Sequence, residues 1–158
     1  MSITIRRATN ADLETLLRFE QGVITAERPM DPTIQPGSIH YYDLPYMISA
    51  PEIELVVAEQ DGQLIGSGYA RIDRSRHYLK FTHHAYLGFM YVEPEHRGKG
   101  VNKLIIETLA EWARAQNLTE LRLDVYTVNQ QAIKAYEKAG FTQILTEMRL
   151  GLPAERNK

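Results

Sequence analysis

Tyr91-Val92-Glu93-Pro94-Glu95-His96-Arg97-Gly98-Lys99-Gly100-Val101-Asn102 is the stretch on which the reading of this chain turns. Apolar residues lead into it and an amphipathic pattern leads out, so it joins a strand to a helix. Two glycines flank Lys99, which lets the backbone turn sharply and come close to a ligand. The helix that follows would point its unpaired first amides at whatever sits in the turn. The stretch therefore reads as a cradle for an anion.

Working outward, Ala85-Tyr86-Leu87-Gly88-Phe89-Met90-Tyr91-Val92 is a strand stopped by Pro94, with Gly88 marking a bulge. On the other side Val101, Leu104, Ile105, Leu109, Trp112 and Ala113 form one apolar stripe at helical spacing, and the helix ends near Asn117. Leu121, Leu123 and Val125 alternate with polar neighbours as a strand, and a helix from Asn129 to Gly140 follows, with Asn129 as its cap. A last strand is expected from about Phe141 to Leu150.

Towards the start, Ile3 and Ile5 belong to a first strand and Leu13, Leu16 and Leu17 to a helix entered at Thr9-Asn10-Ala11-Asp12. From about Gly22 to Pro51 five prolines and Gly37 break regularity, leaving room for a short helix at most. Tyr41, Tyr42, Tyr46 and Met47 make this stretch too aromatic for a linker, so it is expected to pack over the domain and help form a pocket. Glu54 to Ala70 reads as a β-hairpin turning at Asp61-Gly62.

These elements predict a mixed α/β (α+β) sheet covered by helices, in one domain over 1–150 with a loose tail at 151–158. The 158 residues are enough to bury a core without staples. The absence of cysteine removes disulfides, thiolate zinc sites and a cysteine nucleophile together, and no metal is called for. Eighteen basic against twenty acidic residues speak against a nucleic-acid partner. No run approaches the roughly 20 apolar residues of a membrane span, which makes the cytoplasm the default location.

Two common phosphate sites fail on their residues. A P-loop needs Ser or Thr after Gly-Lys, where Gly100 stands, and a dinucleotide fingerprint needs a third glycine where Lys103 stands. The second motif, Asn129-Gln130-Gln131-Ala132-Ile133-Lys134-Ala135-Tyr136-Glu137-Lys138-Ala139-Gly140-Phe141, completes a pair that resembles the GNAT superfamily of acyl-CoA-dependent N-acetyltransferases. The resemblance is strongest from Tyr86 to Phe141.

It implies a mostly antiparallel sheet with a splayed central strand pair, and acetyl-CoA as co-substrate. It further implies that the backbone of Met90, Tyr91 and Val92 pairs with the pantetheine arm, and that the amides of Arg97, Gly98, Lys99, Gly100, Val101 and Asn102 wrap the pyrophosphate. Asn129 matches the asparagine near the thiol, and Tyr136 the tyrosine that protonates the departing thiolate. The chain departs from the family pattern at Glu95 and Asn102. It also carries no acid in the central strand, where many relatives keep one.

A primary amine with a pKa near 10.4 is protonated at neutral pH and must lose a proton to attack. The candidates are His83 and His84, with His84 preferred, then Glu20, Glu27 and Asp124. Asn129 and Tyr136 each retain a purely structural reading, as a cap and as a packing residue. The Met90 amide is the expected oxyanion donor.

The function expected is transfer of an acetyl group from acetyl-CoA to an amine, of a small molecule or a protein, by direct attack in a ternary complex. Two alternatives remain, a silent acyl-CoA sensor and an interaction module presenting Tyr41, Tyr42, Tyr46 and Met47. Oligomeric state, a homodimer included, stays open.

Overall fold

A computed structural model describes residues 2–154. Its elements are β1 (Thr4–Arg7), α1 (Leu13–Glu27), α2 (Leu44–Ser49), β2 (Ile53–Gln60), β3 (Gln63–Arg74), β4 (His83–Val92), α3 (Val101–Ala115), β5 (Leu121–Arg122) and α4 (Gln130–Lys138). One five-stranded open sheet runs β1-β2-β3-β4-β5, antiparallel except for the parallel β4–β5 pair. The α/β class and the mostly antiparallel sheet are those the sequence predicted.

Each face of the sheet carries its own core. Leu55 and Val57 of β2 point to the side covered by Leu16 and Phe19 of α1 and by Leu44, Met47 and Ile48 of α2. Val56 and Ala58 point to the opposite side, where Val101, Ile105, Leu109 and Ala113 of α3 pack. Side chains of a strand alternate faces, so β2 reads as a nearly continuous apolar run because helices cover it on both sides. Each large side chain buried this way stabilises the fold by about 1.5–3 kcal/mol.

β4 breaks that alternation. Ala85 and Leu87 face α3, and Phe89 should follow them, but Phe89 packs with the α1 core while Met90 packs against the α3 side. The pairing with β3 jumps from Tyr69↔Gly88 to Ser67↔Tyr91, the two-against-one register of a bulge. Phe89 carries the strain with a φ of 53°, and the buried Ser67 hydroxyl donates to its carbonyl oxygen at 3.0 Å. Gly88 has a different duty from the one expected of it: a Cβ there would lie 2.4 Å from the Tyr69 hydroxyl oxygen, so it makes room for that ring.

Three elements differ from expectation. α1 runs through Gly22 to Glu27, because Gly22 serves close approach: a Cβ there would meet the Tyr91 ring at 2.8 Å. The irregular stretch after α1 is not left to itself. The fully buried Glu20 accepts hydrogen bonds from the backbone amides of Tyr41 and Tyr42, both at 2.8 Å, and lies 2.7 Å from His40 Nδ1.

β5 is two residues long and pairs with β4 only at Ala85 and Tyr86, so the expected strand through Val125 leaves the sheet early. The strand expected over 141–150 is not formed. Its alternating apolar residues suit a strand, but so short a β5 offers no ladder for it, and Ile144, Leu145, Met148 and Leu150 are 80–90% exposed. Of the expected tail, residues 155–158 lie outside the described residues.

Gly66 supports the cofactor-side strand most directly. A Cβ there would sit 2.7 Å from the backbone carbonyl oxygen of Tyr91 and 3.3 Å from Val101. Backbone cannot step aside as a side-chain tip can. Gly66→Ala should therefore lower unfolding free energy by about 1–3 kcal/mol, read as a fall in the urea midpoint at unchanged slope.

Candidate active site

The bulge and the short β5 together open the sheet. Past Tyr86, β4 keeps β3 on one side and has no strand on the other among the described residues, so the backbone from Leu87 to Val92 faces a gap on that edge. Met90, Tyr91 and Val92 lie along this gap. A polar backbone edge left unpaired there is a template for an extended, amide-bearing ligand.

At the end of β4 the chain makes a short 3-10 turn, Pro94–His96, then passes through Arg97 and Gly98 to Gly100, the cap residue of α3. Gly98 and Gly100 have φ of 75° and 83°, left-handed values that L side chains adopt only with strain. No atom lies within 4 Å of where a Cβ of either glycine would be, so the inside of the turn is open. The amides that start the 15-residue α3 point into it without helical partners. Arg97 is held in place: its Nε donates to the Val92 carbonyl at 2.9 Å, and its guanidinium lies 5.9 Å from the centre of the Tyr91 ring. Lys99 and Glu95 are exposed. These residues fit a phosphate-bearing co-substrate.

α4 follows β5 in the chain. Asn129 caps it, its Oδ1 accepting from the Ala132 amide at 3.3 Å, which meets the structural reading of that residue. Tyr136 is half-buried, its ring 5.8 Å from that of Phe141, and its hydroxyl makes no hydrogen bond among the described residues. Burial first, and then the charge of Glu27, push its phenol up to about 12. It is therefore protonated throughout the physiological range and able to donate.

The irregular stretch packs its tyrosines against the β4 bulge. Tyr42 stacks at 4.7 Å on Phe89 and meets Tyr41 and Tyr69 edge-on. Tyr41 donates its hydroxyl to Glu27 at 2.9 Å. Glu27 is thus the residue that the Tyr41–Tyr42 pair and Tyr136 have in common.

Tyr126 donates to Asp31 at 2.8 Å, and Arg149 reaches both Asp31 oxygens at 3.1 and 3.2 Å. Tyr126 and the aromatic wall around Glu27 were not legible as site residues, because five separated segments supply them. The only signal was the aromatic richness of the Pro-broken stretch.

His84 is not brought to this group. It is buried at the other end of β4, opposite Asp73 in the ladder, with Nδ1 2.8 Å from the Ser75 hydroxyl. Burial, followed by the charge of Arg122, lowers its pKa. The strand separates it from Met90 by roughly 20 Å. His83 is exposed beside it, bonded to Thr82.

Residues 20–141 match the acetyltransferase (GNAT) family. The chain belongs to that family. It is 24% identical over 156 residues to an aminoglycoside N(6')-acetyltransferase type 1 of Stenotrophomonas maltophilia, covering 96% of this chain and 94% of that one. An IAA acetyltransferase of Azospirillum brasilense is 30% identical over 104 residues, which span 66% of this chain and 63% of that protein.

Among solved structures, AAC(6')-Iy in complex with the bisubstrate analogue CoA-S-monomethyl-acetylneamine superposes with a TM-score of 0.75 at 21% identity, over 98% of this chain and 100% of that one. A predicted acetyltransferase of Clostridium acetobutylicum solved with acetyl-CoA gives 0.71 at 19% identity, over 95% and 96%. At such identities the structural likeness is one of fold. The GNAT resemblance read from the two motifs therefore holds, and the family is one of acyltransferases.

If the glycine turn holds the phosphates, removing its cations should cost affinity only for ligands that carry phosphate. The double substitution Arg97→Ala with Lys99→Ala is expected to weaken CoA binding by about tenfold or more while leaving pantetheine binding unchanged. Isothermal titration of both ligands against both proteins reads the difference.

Proposed function

We propose that this protein is an N-acetyltransferase that moves an acetyl group from acetyl-CoA to a cationic small-molecule amine by direct attack in a ternary complex. The observation that carries the reading is the opened edge of β4, which runs from the bulge at Phe89 into the glycine turn.

In this reading Met90, Tyr91 and Val92 offer backbone groups to the pantetheine arm. The amides of Arg97, Gly98, Lys99, Gly100, Val101 and Asn102 hold the pyrophosphate, and the positive end of α3 favours that charge. Asn129 keeps its Nδ2 for the thiol end while Oδ1 caps α4. When bound, acetyl-CoA supplies the activated thioester; the chain supplies position, charge and proton transfer.

The Met90 amide stabilises the oxyanion that forms as the amine adds to the carbonyl. Tyr136 gives its proton to the departing sulfur. A thiol with a pKa of about 8.5, by analogy with cysteine, already leaves fairly well, so this help is modest and positioning dominates the rate. A cationic acceptor suits the carboxylates and tyrosines of the pocket, which offer charge and flat apolar surface together. The aminoglycoside N(6')-acetyltransferase relative and the AAC(6')-Iy neighbour put aminoglycoside-like amines first among the acceptors to test.

A thiol-release assay with acetyl-CoA across aminoglycosides, polyamines, amino acids and peptides tests the function. Release with a polycationic amine is expected; acetyl-CoA binding without release from any amine would make the protein a silent acyl-CoA binder. Tyr136→Phe should lower kcat by about 10- to 100-fold with little change in acetyl-CoA affinity. Equal turnover of the two proteins would remove Tyr136 from the chemistry.

A further inference from the structure

We propose that Glu27, the last residue of α1, is the group that takes the proton from the acceptor amine, an assignment that rests on the transferase reading above. Elimination on geometry comes first. Glu20 is fully buried and already serves the Tyr41 and Tyr42 amides and His40. Asp31 is buried and saturated by Thr33 through both its amide and its hydroxyl, by Tyr126 and by Arg149. The Thr33 bonds lead in holding its carboxyl well below the usual carboxylate range. Asp124 is exposed and accepts from the Tyr86 hydroxyl. His84 lies at the far end of β4.

Glu27 alone among these carboxylates combines spare capacity with a packed link to the β4 bulge: Tyr41 donates to it and meets Tyr42 edge-on, and Tyr42 packs on Phe89. It is half-buried, and the one side-chain hydrogen bond it makes among the described residues, from Tyr41, engages one oxygen. The titratable and charged groups that interact with it come from several segments: Asp31 just after α1, Tyr41 and Tyr42 before α2, Tyr126 after β5 and Tyr136 on α4, with Arg149 reaching Asp31 from the C-terminal side.

Burial is the main cause that raises the Glu27 carboxyl, the Asp31 charge raises it further, and the Tyr41 hydrogen bond opposes both. A carboxylate raised in this way is a better proton acceptor than a solvated one.

The step balances within the pair. Glu27 accepts a proton from the acceptor ammonium, and the freed nitrogen lone pair forms the C–N bond to the acetyl carbon. The C–S bond then breaks, and Tyr136 protonates the sulfur. Tyr136 regains its proton from the second N–H of the new amide nitrogen, and Glu27 loses its own to water.

Three proteins decide the matter: wild type, Glu27→Gln and Tyr41→Phe. Each is assayed by thiol release across pH with the fastest acceptor from the survey, neamine first, and by titration with acetyl-CoA. Glu27→Gln should lose about 100-fold in kcat with unchanged acetyl-CoA affinity, and the acidic limb of its kcat profile should disappear. Tyr41→Phe removes the hydrogen bond that favours the charged carboxylate, so its acidic limb should move to higher pH.

Wild-type kcat in Glu27→Gln overturns the assignment. So does a rise confined to the acceptor KM with the limb retained, or an unmoved limb in Tyr41→Phe. In each of those cases an active wild type leaves the transferase reading standing; a wild type that releases no thiol from any amine overturns both.

Discussion

The bulge at Phe89 is the constraint on which the rest of the structure depends. A strand allots its side chains to two faces by strict alternation, and one extra residue reverses the allotment for everything that follows. Here the reversal sends Phe89 and Tyr91 towards α1 and Met90 towards α3. A left-handed phenylalanine is unfavourable by itself, of order 1 kcal/mol or more. The Ser67 hydrogen bond, the burial of Phe89 and the glycines at 66, 68 and 88, which clear space for neighbours, hold it there.

From that point the site follows. The bulge bends β4, the two-residue β5 lets go of it, and the freed edge leads straight into a turn whose two glycines adopt left-handed backbone. On the other side of the gap the irregular stretch is fixed by a charge rather than by regular structure: Glu20, buried in α1, is satisfied by two backbone amides and a histidine. A buried carboxylate is tolerated only when its lone pairs are used, so the loop and the helix specify one another. This places Tyr41 against Glu27 and Tyr42 against Phe89.

Electrostatics then sorts carboxylates that look alike in the sequence. Glu20 is structural, Asp31 is saturated by donors and held acidic, and Glu27 is left with one phenol and a partly desolvated carboxyl. The division is a matter of neighbours. The same Glu27 charge adds to burial in raising the phenol of Tyr136.

The sequence by itself determined the glycine turn, the helix stripe that follows it, the hairpin and the family, because these are local: a glycine spacing, a 3.6-residue period and an alternation are written in consecutive residues.

Only the tertiary structure decided that Gly22 lies inside a helix, that 141–150 forms no strand, that His84 sits away from the gap and that the Glu27 charge reaches Tyr136. Each depends on a partner far along the chain: the Tyr91 ring for Gly22, a strand edge for 141–150, β3 for His84, and α4 for Glu27. A local pattern can state what a segment is suited to form. Whether a partner is there to accept it is settled when the chain closes on itself.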